Sequence, residues 1–546
     1  MNEFLAQPRP RRPHHADTLD LPEPTVAYPT TATTSGRSTP VPADAPPSVQ
    51  SLSVARKQVR AEQRQRIFPT IEFASRVSHF DPSSDHRDFR GFFNLFWIGL
   101  AIMAFTSMLR NIKDTGYPLR VQIWSLFTRK LSHLALADLV MVTSTAVSLP
   151  LQRLLRTTAA RPGGLAWAKG GKALQNVYQA VWLLVWIVLP FALDWPWTAQ
   201  VFLLLHAMVL LMKMHSYASY NGHLAETERR LRALDHPDTA SKAPAYLYPN
   251  ADHPDGALVS PTRLHHSPAD DCPDHAAADA DIDDADLSLL RRSLARELTS
   301  PLGNVTFPAN LTWPNYVDYI FCPTLCYELE YPRTDKIRWS VLASKIVAVF
   351  GCIFLLTVTS EEFILPVLVE ASARLEPGPP LSESVLILAE SISWLLFPFM
   401  MTFLLVFLVI FEYVLGALAE LTRFADRHFY SDWWNSTDWM EFSREWNIPV
   451  YSFLRRHVYS ASRPHIGRTF ATIITFLISA IGHEIVLACI TRKLRGYGFI
   501  CQMSQLPIVA LQHSPWVRGK NTLNNVCFWC SMILGLSLIC SLYVLI

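Results

Sequence analysis

His483 lies in residues 470–490, a run that is otherwise uncharged except for the adjacent Glu484. An ionisable side chain within a membrane-length helix is costly enough to mark function by default. Counted from Thr469 it stands 14 residues along, about 20 Å of helical rise. Ser479 is four residues earlier, and Thr475 and Thr472 continue the same face at helical spacing. The stripe reads as the wall of a polar channel ending at an imidazole, the side chain that exchanges a proton near neutral pH. The alternative is a core histidine hydrogen-bonded across a helix bundle. Glu484 is turned about 100° away, which suits orienting a neighbour more than sharing the site.

A second concentration of chemistry-bearing residues is Phe429, Tyr430, Ser431, Asp432, Trp433, Trp434 and Asn435, followed by Trp439, Arg444, Trp446 and Asn447. An aromatic belt at a membrane boundary explains the abundance of Trp and Tyr but not the interleaved Asp and Asn. Arg423, Arg427, Arg444, Arg455, Arg456, Arg463 and Arg468 share the region. Two uses are open to them, facing anionic lipid headgroups or binding the phosphates of a nucleotide-bearing substrate.

The elements that must position these residues are apolar runs of membrane-spanning size. A spanning helix needs about 20 mostly uncharged residues. Residues 92–109, 173–193, 197–212, 346–360, 391–411 and 521–546 carry no charge, residues 131–152 carry only Asp138, and residues 496–517 are interrupted by Pro507. With 470–490 these predict about nine transmembrane helices, an all-α polytopic membrane protein. Charged residues make up 17% of the chain, against about 25% in an ordinary soluble domain. The 48 Lys and Arg nearly balance 46 Asp and Glu, so no basic field exists to hold nucleic acid. Most of the nine cysteines fall inside apolar runs and imply no disulfide framework. Cys527 and Cys530 have the spacing of a metal or redox pair, but in a hydrophobic segment they read as buried small hydrophobes, as do Cys322 and Cys326.

Four regions follow. Residues 1–88 are expected to be a disordered cytosolic tail, with ten prolines in the first 50 residues and a basic juxtamembrane stretch from Arg56 to Arg90. Residues 89–220 hold the first membrane helices. Residues 221–300 are expected to be a disordered acidic cytosolic insert, in which only 287–298 could form a short amphipathic helix. Residues 301–546 hold the remaining membrane helices, the core that would be catalytic in an enzyme. Basic residues before the first span, and Arg153, Arg156, Arg161, Lys169 and Lys172 after the second, place the N-terminus on the cytosolic side. Transporter, receptor and membrane-embedded enzyme all fit such a composition, although the paired broken helices of many transporters are missing.

The chain resembles the membrane-bound O-acyltransferases, and among them the fungal sterol O-acyltransferase branch. Phe429 to Asn435 matches the FYxDWWN signature, Trp446-Asn447-Ile448-Pro449-Val450 matches the WNxPV segment, and His483-Glu484 matches the active-site histidine in its apolar helix. Phe89-Arg90-Gly91-Phe92-Phe93, Pro323-Thr324-Leu325-Cys326-Tyr327-Glu328 and Tyr331-Pro332-Arg333-Thr334 are similar to further family blocks. The resemblance covers residues 80–220 and 300–546. Tyr451 stands where many relatives have a histidine, and it cannot serve as a base near neutral pH.

The resemblance implies a helical bundle with a buried catalytic chamber, in the endoplasmic reticulum membrane. There a dimeric or tetrameric enzyme of lipid metabolism transfers a long-chain acyl group from acyl-CoA to the 3-hydroxyl of a sterol such as ergosterol. His483 would be the general base and Asn447 would hold the carbonyl or orient the histidine. Arg444, Trp446, Tyr459 and Arg468 would contact acyl-CoA, and Ser479 would line its channel. No metal or redox cofactor is implied, since acyl-CoA is a co-substrate that carries its own activation. A diacylglycerol acyltransferase shares several of these blocks, and a non-catalytic lipid-binding membrane protein would tolerate loss of His483.

Overall fold

The computed structural model describes residues 71–81, 90–118, 130–159, 163–234, 290–301, 303–515 and 519–545, together with residues 69, 161 and 517. Residues 1–68 of the tail and 235–289 of the insert, where disorder was expected, lie outside the described residues.

In a bilayer, each segment must satisfy its own backbone N–H and C=O groups, so uncharged runs become helices. These are α1 (Arg90–Thr115), α2 (Leu131–Ser144), α3 (Ser148–Ala159), α4 (Gly171–Ala192), α5 (Trp197–Leu234), α6 (Trp313–Phe321), α7 (Trp339–Thr359), α8 (Leu365–Leu375), α9 (Leu381–Phe407), α10 (Leu415–Leu421), α11 (Trp439–Glu445), α12 (Ile448–Phe453), α13 (Ser460–Thr491), α14 (Tyr497–Gln512) and α15 (Asn521–Leu545). A 3₁₀ turn joins α2 to α3. Wider π-helical turns at Ser360–Ile364, Leu408–Val414 and Leu454–Tyr459 join α7 to α8, α9 to α10 and α12 to α13.

Eight of the resulting helices are long and apolar enough to cross a membrane. With 16 residues α14 is shorter than those eight, yet it runs the same course. Its first turn is bound to Glu484 of α13, and Gln512 at its end accepts the Trp439 N–H at 3.4 Å. From there α15 runs back, with Asn525 on the signature loop and Tyr543 on Glu484. Among the described residues all nine apolar runs of the sequence form helix, eight of them in helices of spanning length and the ninth in the shorter α14. The protein is a polytopic, all-helical membrane protein.

Two ionisable residues on the spans have clear partners. Asp138 pairs with His206 of α5 at 2.6 Å. Lys213 is buried and donates to the Tyr319 and Cys322 carbonyls at 3.0 and 2.7 Å, placing a cation on the C-terminal end of α6. A core of Tyr217, Tyr316, Tyr319, Tyr327 and Tyr331 packs around it. Two boundaries differ from the composition-based division. α5 continues to Leu234, past the boundary expected at 220, whereas the short helix expected within 287–298 is present at 290–297 with Leu294 and Leu298 buried. Residues 71–81, assigned by composition to the tail, lie largely in extended form against the family blocks around Phe93 and Tyr331, where Phe73 and Phe80 find aromatic partners. Cys322 and Cys326 are buried as expected, but Cys527 and Cys530 are exposed on α15, on a face shared with Leu523, Val526 and Leu534. In a membrane helix, apolar side chains turn outward to lipid as readily as inward.

Candidate functional site

The signature loop is first of all a scaffold. Phe429, Tyr430 and Trp433 are buried in the main core. Trp433 is surrounded by Phe407, Trp446 and Phe403 with ring centroids at 5.1, 4.9 and 5.6 Å, and Trp446 stacks on Phe403 at 4.6 Å. The π-helical turn at Leu408–Val414 buries both Phe411 and Glu412. Glu412 then accepts the Tyr430 hydroxyl at 3.0 Å and pairs with Lys345 at 2.8 Å. Asn525 and Trp529 of α15 donate to the Trp434 carbonyl at 3.0 and 3.1 Å. Asp432 and Asn435, the polar residues an aromatic belt leaves unexplained, are exposed and bonded to each other at 3.4 Å. Burial pushes Asp432 up, but bonds from Ser431 and Asn435 outweigh it and hold the carboxyl below its ordinary value.

This scaffold places Asn447. The Ile448 N–H donates to the Phe429 carbonyl at 3.0 Å and the Ser431 N–H to the Glu445 carbonyl at 2.9 Å, so the loop and residues 445–448 run side by side. Asn447 caps α12, its Oδ1 accepting the Val450 N–H at 3.1 Å, with Pro449 in the first turn. That bond fixes which end of the amide faces the helix. The Nδ2 group is left without a partner among the described residues, as a donor turned away from the cap.

His483 has a complementary arrangement. Its Nδ1 lies 2.8 Å from the Ser479 carbonyl. A carbonyl only accepts, so Nδ1 carries a proton, and in the neutral ring the lone pair is then on Nε2. Among the described residues no hydrogen bond crosses the bundle from this imidazole, which is exposed. Glu484 is buried and fully engaged, accepting the Gly496 and Phe499 N–H groups at 2.7 and 3.0 Å and the Tyr543 hydroxyl at 2.6 Å. It anchors the start of α14 and takes no direct part beside the imidazole. The hydroxyls of Thr472 and Thr475 turn back to carbonyls one turn earlier, at 3.1 and 2.8 Å. The two threonines of the stripe expected to wall a polar channel therefore satisfy their own donors.

Sequence reasoning missed Gly467. Its φ of 78° and ψ of 177° break α13 into two helices, in a region of backbone space open essentially to glycine alone. One arm carries Asn447, Arg456 and Tyr459, the other Arg468, Ser479 and His483, so this residue sets the angle between them. The signal was present as a glycine three residues after Pro464. Asn447 and His483 make no hydrogen bond to each other among the described residues.

The arginines separate into two groups. Arg427 and Arg456 are buried in ion pairs, with Glu420 and with Glu328 at 2.9 Å. They are structural, because breaking a buried pair costs several kcal/mol, on the order of 3–5. Arg423, Arg455, Arg463 and Arg468 are exposed, and Arg444 is half-buried with its Nε on the Met440 carbonyl at 3.1 Å. Tyr459 and Ser479 are half-buried.

Two groups beside the signature loop should give stability an unusual pH dependence. Burial, with Arg76 and His79 nearby, lowers His428 from 6.5 to about 4. The unfolded chain takes up this proton first, so the His428 contribution is complete above pH 6.5 and declines as pH falls towards 4. Glu445 is raised from 4.5 to about 7 by burial and by Glu441 and Asp432. Its folded form holds a proton that the unfolded form releases, so acidification from pH 7 to 4.5 favours the fold. His428→Gln should flatten the acid loss of melting temperature in detergent, and Glu445→Gln should steepen it. Identical slopes in all three proteins would contradict both assignments.

Eight membrane-length helices with the shorter α14, an aromatic loop scaffold, an amide donor on one arm and an imidazole on the other define a polytopic membrane protein. Residues 165–545 match the model of the membrane-bound O-acyltransferase family, and the chain belongs to that family. It is 37% identical to a probable sterol O-acyltransferase 2 of Schizosaccharomyces pombe, over 84% of this chain and 87% of that one. It is 34% identical to a sterol O-acyltransferase 2 of Candida albicans, over 87% of this chain and 78% of the relative. A diacylglycerol O-acyltransferase 1 of Dictyostelium discoideum is 34% identical over 44% of this chain and 38% of its own.

Proposed function

We propose that the protein is an acyl-CoA-dependent sterol O-acyltransferase, forming steryl esters from a long-chain acyl-CoA and a membrane sterol such as ergosterol. The observation that carries the chemistry is the His483 imidazole, whose Nδ1–H is held by the Ser479 carbonyl while Nε2 is bare. Nε2 accepts the sterol hydroxyl proton as that oxygen attacks the thioester carbonyl. The tetrahedral oxyanion that forms is met by a preorganised amide donor, the Asn447 Nδ2. Collapse breaks the carbon–sulfur bond, and the imidazolium returns its proton to the departing thiolate. The thioester supplies the activation, so the reaction requires no metal or redox cofactor.

CoA carries phosphates that cannot enter hydrocarbon cheaply. It stays at the cytosolic mouth near Arg444, Trp446, Tyr459 and Arg468, and its acyl arm passes Ser479. The sterol is already dissolved in the bilayer and enters sideways between helices. Basic residues flanking the first spans favour a cytosolic N-terminus. We place the enzyme in the endoplasmic reticulum membrane, as a dimer or tetramer.

Sterol is favoured over diacylglycerol because similarity to the sterol enzymes extends over most of the chain, whereas that to the diacylglycerol enzyme covers less than half. The test is expression in cells lacking neutral-lipid synthesis, fed a labelled fatty acid. Label is expected in steryl ester. Label in triacylglycerol alone would replace this reading with the diacylglycerol one.

A further inference from the structure

Residues 71–81 supply donors to three buried carboxylates that sit on three separate parts of the core. The Ile71 N–H donates to Glu328 Oε1 at 3.0 Å, the Ala74 N–H to Asp426 Oδ2 at 3.2 Å, and the Ser78 hydroxyl to Glu412. Arg76 adds its Nε to Asp426 Oδ1 at 2.9 Å. Each carboxylate is at most 5% exposed, so withdrawal of the segment leaves buried acceptors short of donors. Aromatic contacts seat the segment further. Phe73 packs on Tyr331 at 5.2 Å, His79 stacks on Tyr430 at 5.4 Å and Phe80 on Phe93 of α1 at 4.5 Å.

The backbone extends this into the site. The Arg76 N–H donates to the Ala425 carbonyl at 3.0 Å, and the Arg76 carbonyl accepts the Arg427 N–H at 2.9 Å. Phe429 and Ser431, a few residues on, pair in turn with Ile448 and Glu445. Extended backbone at residue 76 thus lies beside the strip at 425–431, and that strip is bonded at Phe429 and Ser431 to the tight turn between α11 and α12 that carries Asn447. We propose that residues 71–81 are a positioning element for acyl transfer, in which Arg76 sets the register of the strip that aims the Asn447 amide. This rests on the acyltransferase reading above. Arg76 reaches the chemistry only through Asp426 and the strip, so it governs turnover and not acyl-CoA binding.

The test uses the full chain in membranes, with turnover expressed per folded molecule. Arg76→Ala should lower kcat on the order of tenfold or more, the scale of a small misplacement of a catalytic group, with the KM for acyl-CoA within about twofold. Arg76→Lys, which keeps the charge but not the two-point bond to Asp426, should fall between it and the native protein. The reversed pair Arg76→Asp with Asp426→Arg should recover part of the loss. Deletion of residues 1–50, which precede the segment, should leave kcat unchanged. The proposal is overturned by an unaltered kcat in both single variants, by a KM rise at constant kcat, or by an equal kcat loss on deleting 1–50. The native protein's product tests the acyltransferase reading separately, since the ratio of variant to native turnover can be read with whichever acceptor it uses.

Discussion

His483→Ala is expected to leave a normally inserted protein that makes no detectable ester. General-base catalysis by a positioned side chain contributes about 10²–10⁴-fold, and no neighbouring group can take it over. Glu484 is adjacent in sequence, but both its oxygens are committed to the start of α14 and to Tyr543. His483→Gln separates positioning from proton transfer, because its amide can still donate to the Ser479 carbonyl but cannot accept a hydroxyl proton to form a cation. Both variants should be equally inactive at native abundance. Near-normal turnover in either would remove His483 from the mechanism. A non-catalytic lipid-binding protein would lose nothing with this imidazole, so ester synthesis by the native chain and its absence here exclude that reading together.

What could be read from the sequence was what depends on composition and local spacing. Uncharged runs predict spanning helices because the bilayer leaves the backbone no other partner, and all nine runs are helical, eight of them in helices of spanning length. His483 was conspicuous for being ionisable in such a run. The signature blocks were legible as ordered motifs, but not as scaffolding. Burial of Trp433 among Phe403, Phe407 and Trp446 depends on α9 returning to the loop, which loop residues alone do not reveal. The Arg456–Glu328 pair joins residues 128 positions apart, and sequence spacing left Arg456 equivalent to the exposed Arg455 beside it. Residues 71–81 were assigned to the tail by composition, with the basic stretch before the first span. Their order comes from carboxylates hundreds of positions downstream. The π-helical turns that bury Glu412 and Arg456 shift the helical phase locally, and a count at 3.6 residues per turn cannot follow them.

The second large effect is expected at Asn447, where one side chain does two jobs that can be separated. Its Oδ1 caps α12 through the Val450 N–H, a contribution of about 1 kcal/mol. Its Nδ2 is the donor proposed to meet the oxyanion, and loss of one such donor costs about 10²–10³ in turnover. Asn447→Ala removes both and should lower melting temperature and kcat together. Asn447→Asp keeps an acceptor for the Val450 N–H, so the helix start and the thermal stability should be preserved. It also puts a carboxylate where negative charge develops, so kcat should fall at least as far as in Asn447→Ala. Loss of turnover without loss of stability in the Asp variant is the signature of a donor acting on the reacting carbonyl. An Asp variant that keeps both its stability and its turnover would reduce Asn447 to a helix cap, and the oxyanion would need another donor. A change confined to the sterol concentration dependence would instead make the amide a substrate-binding group.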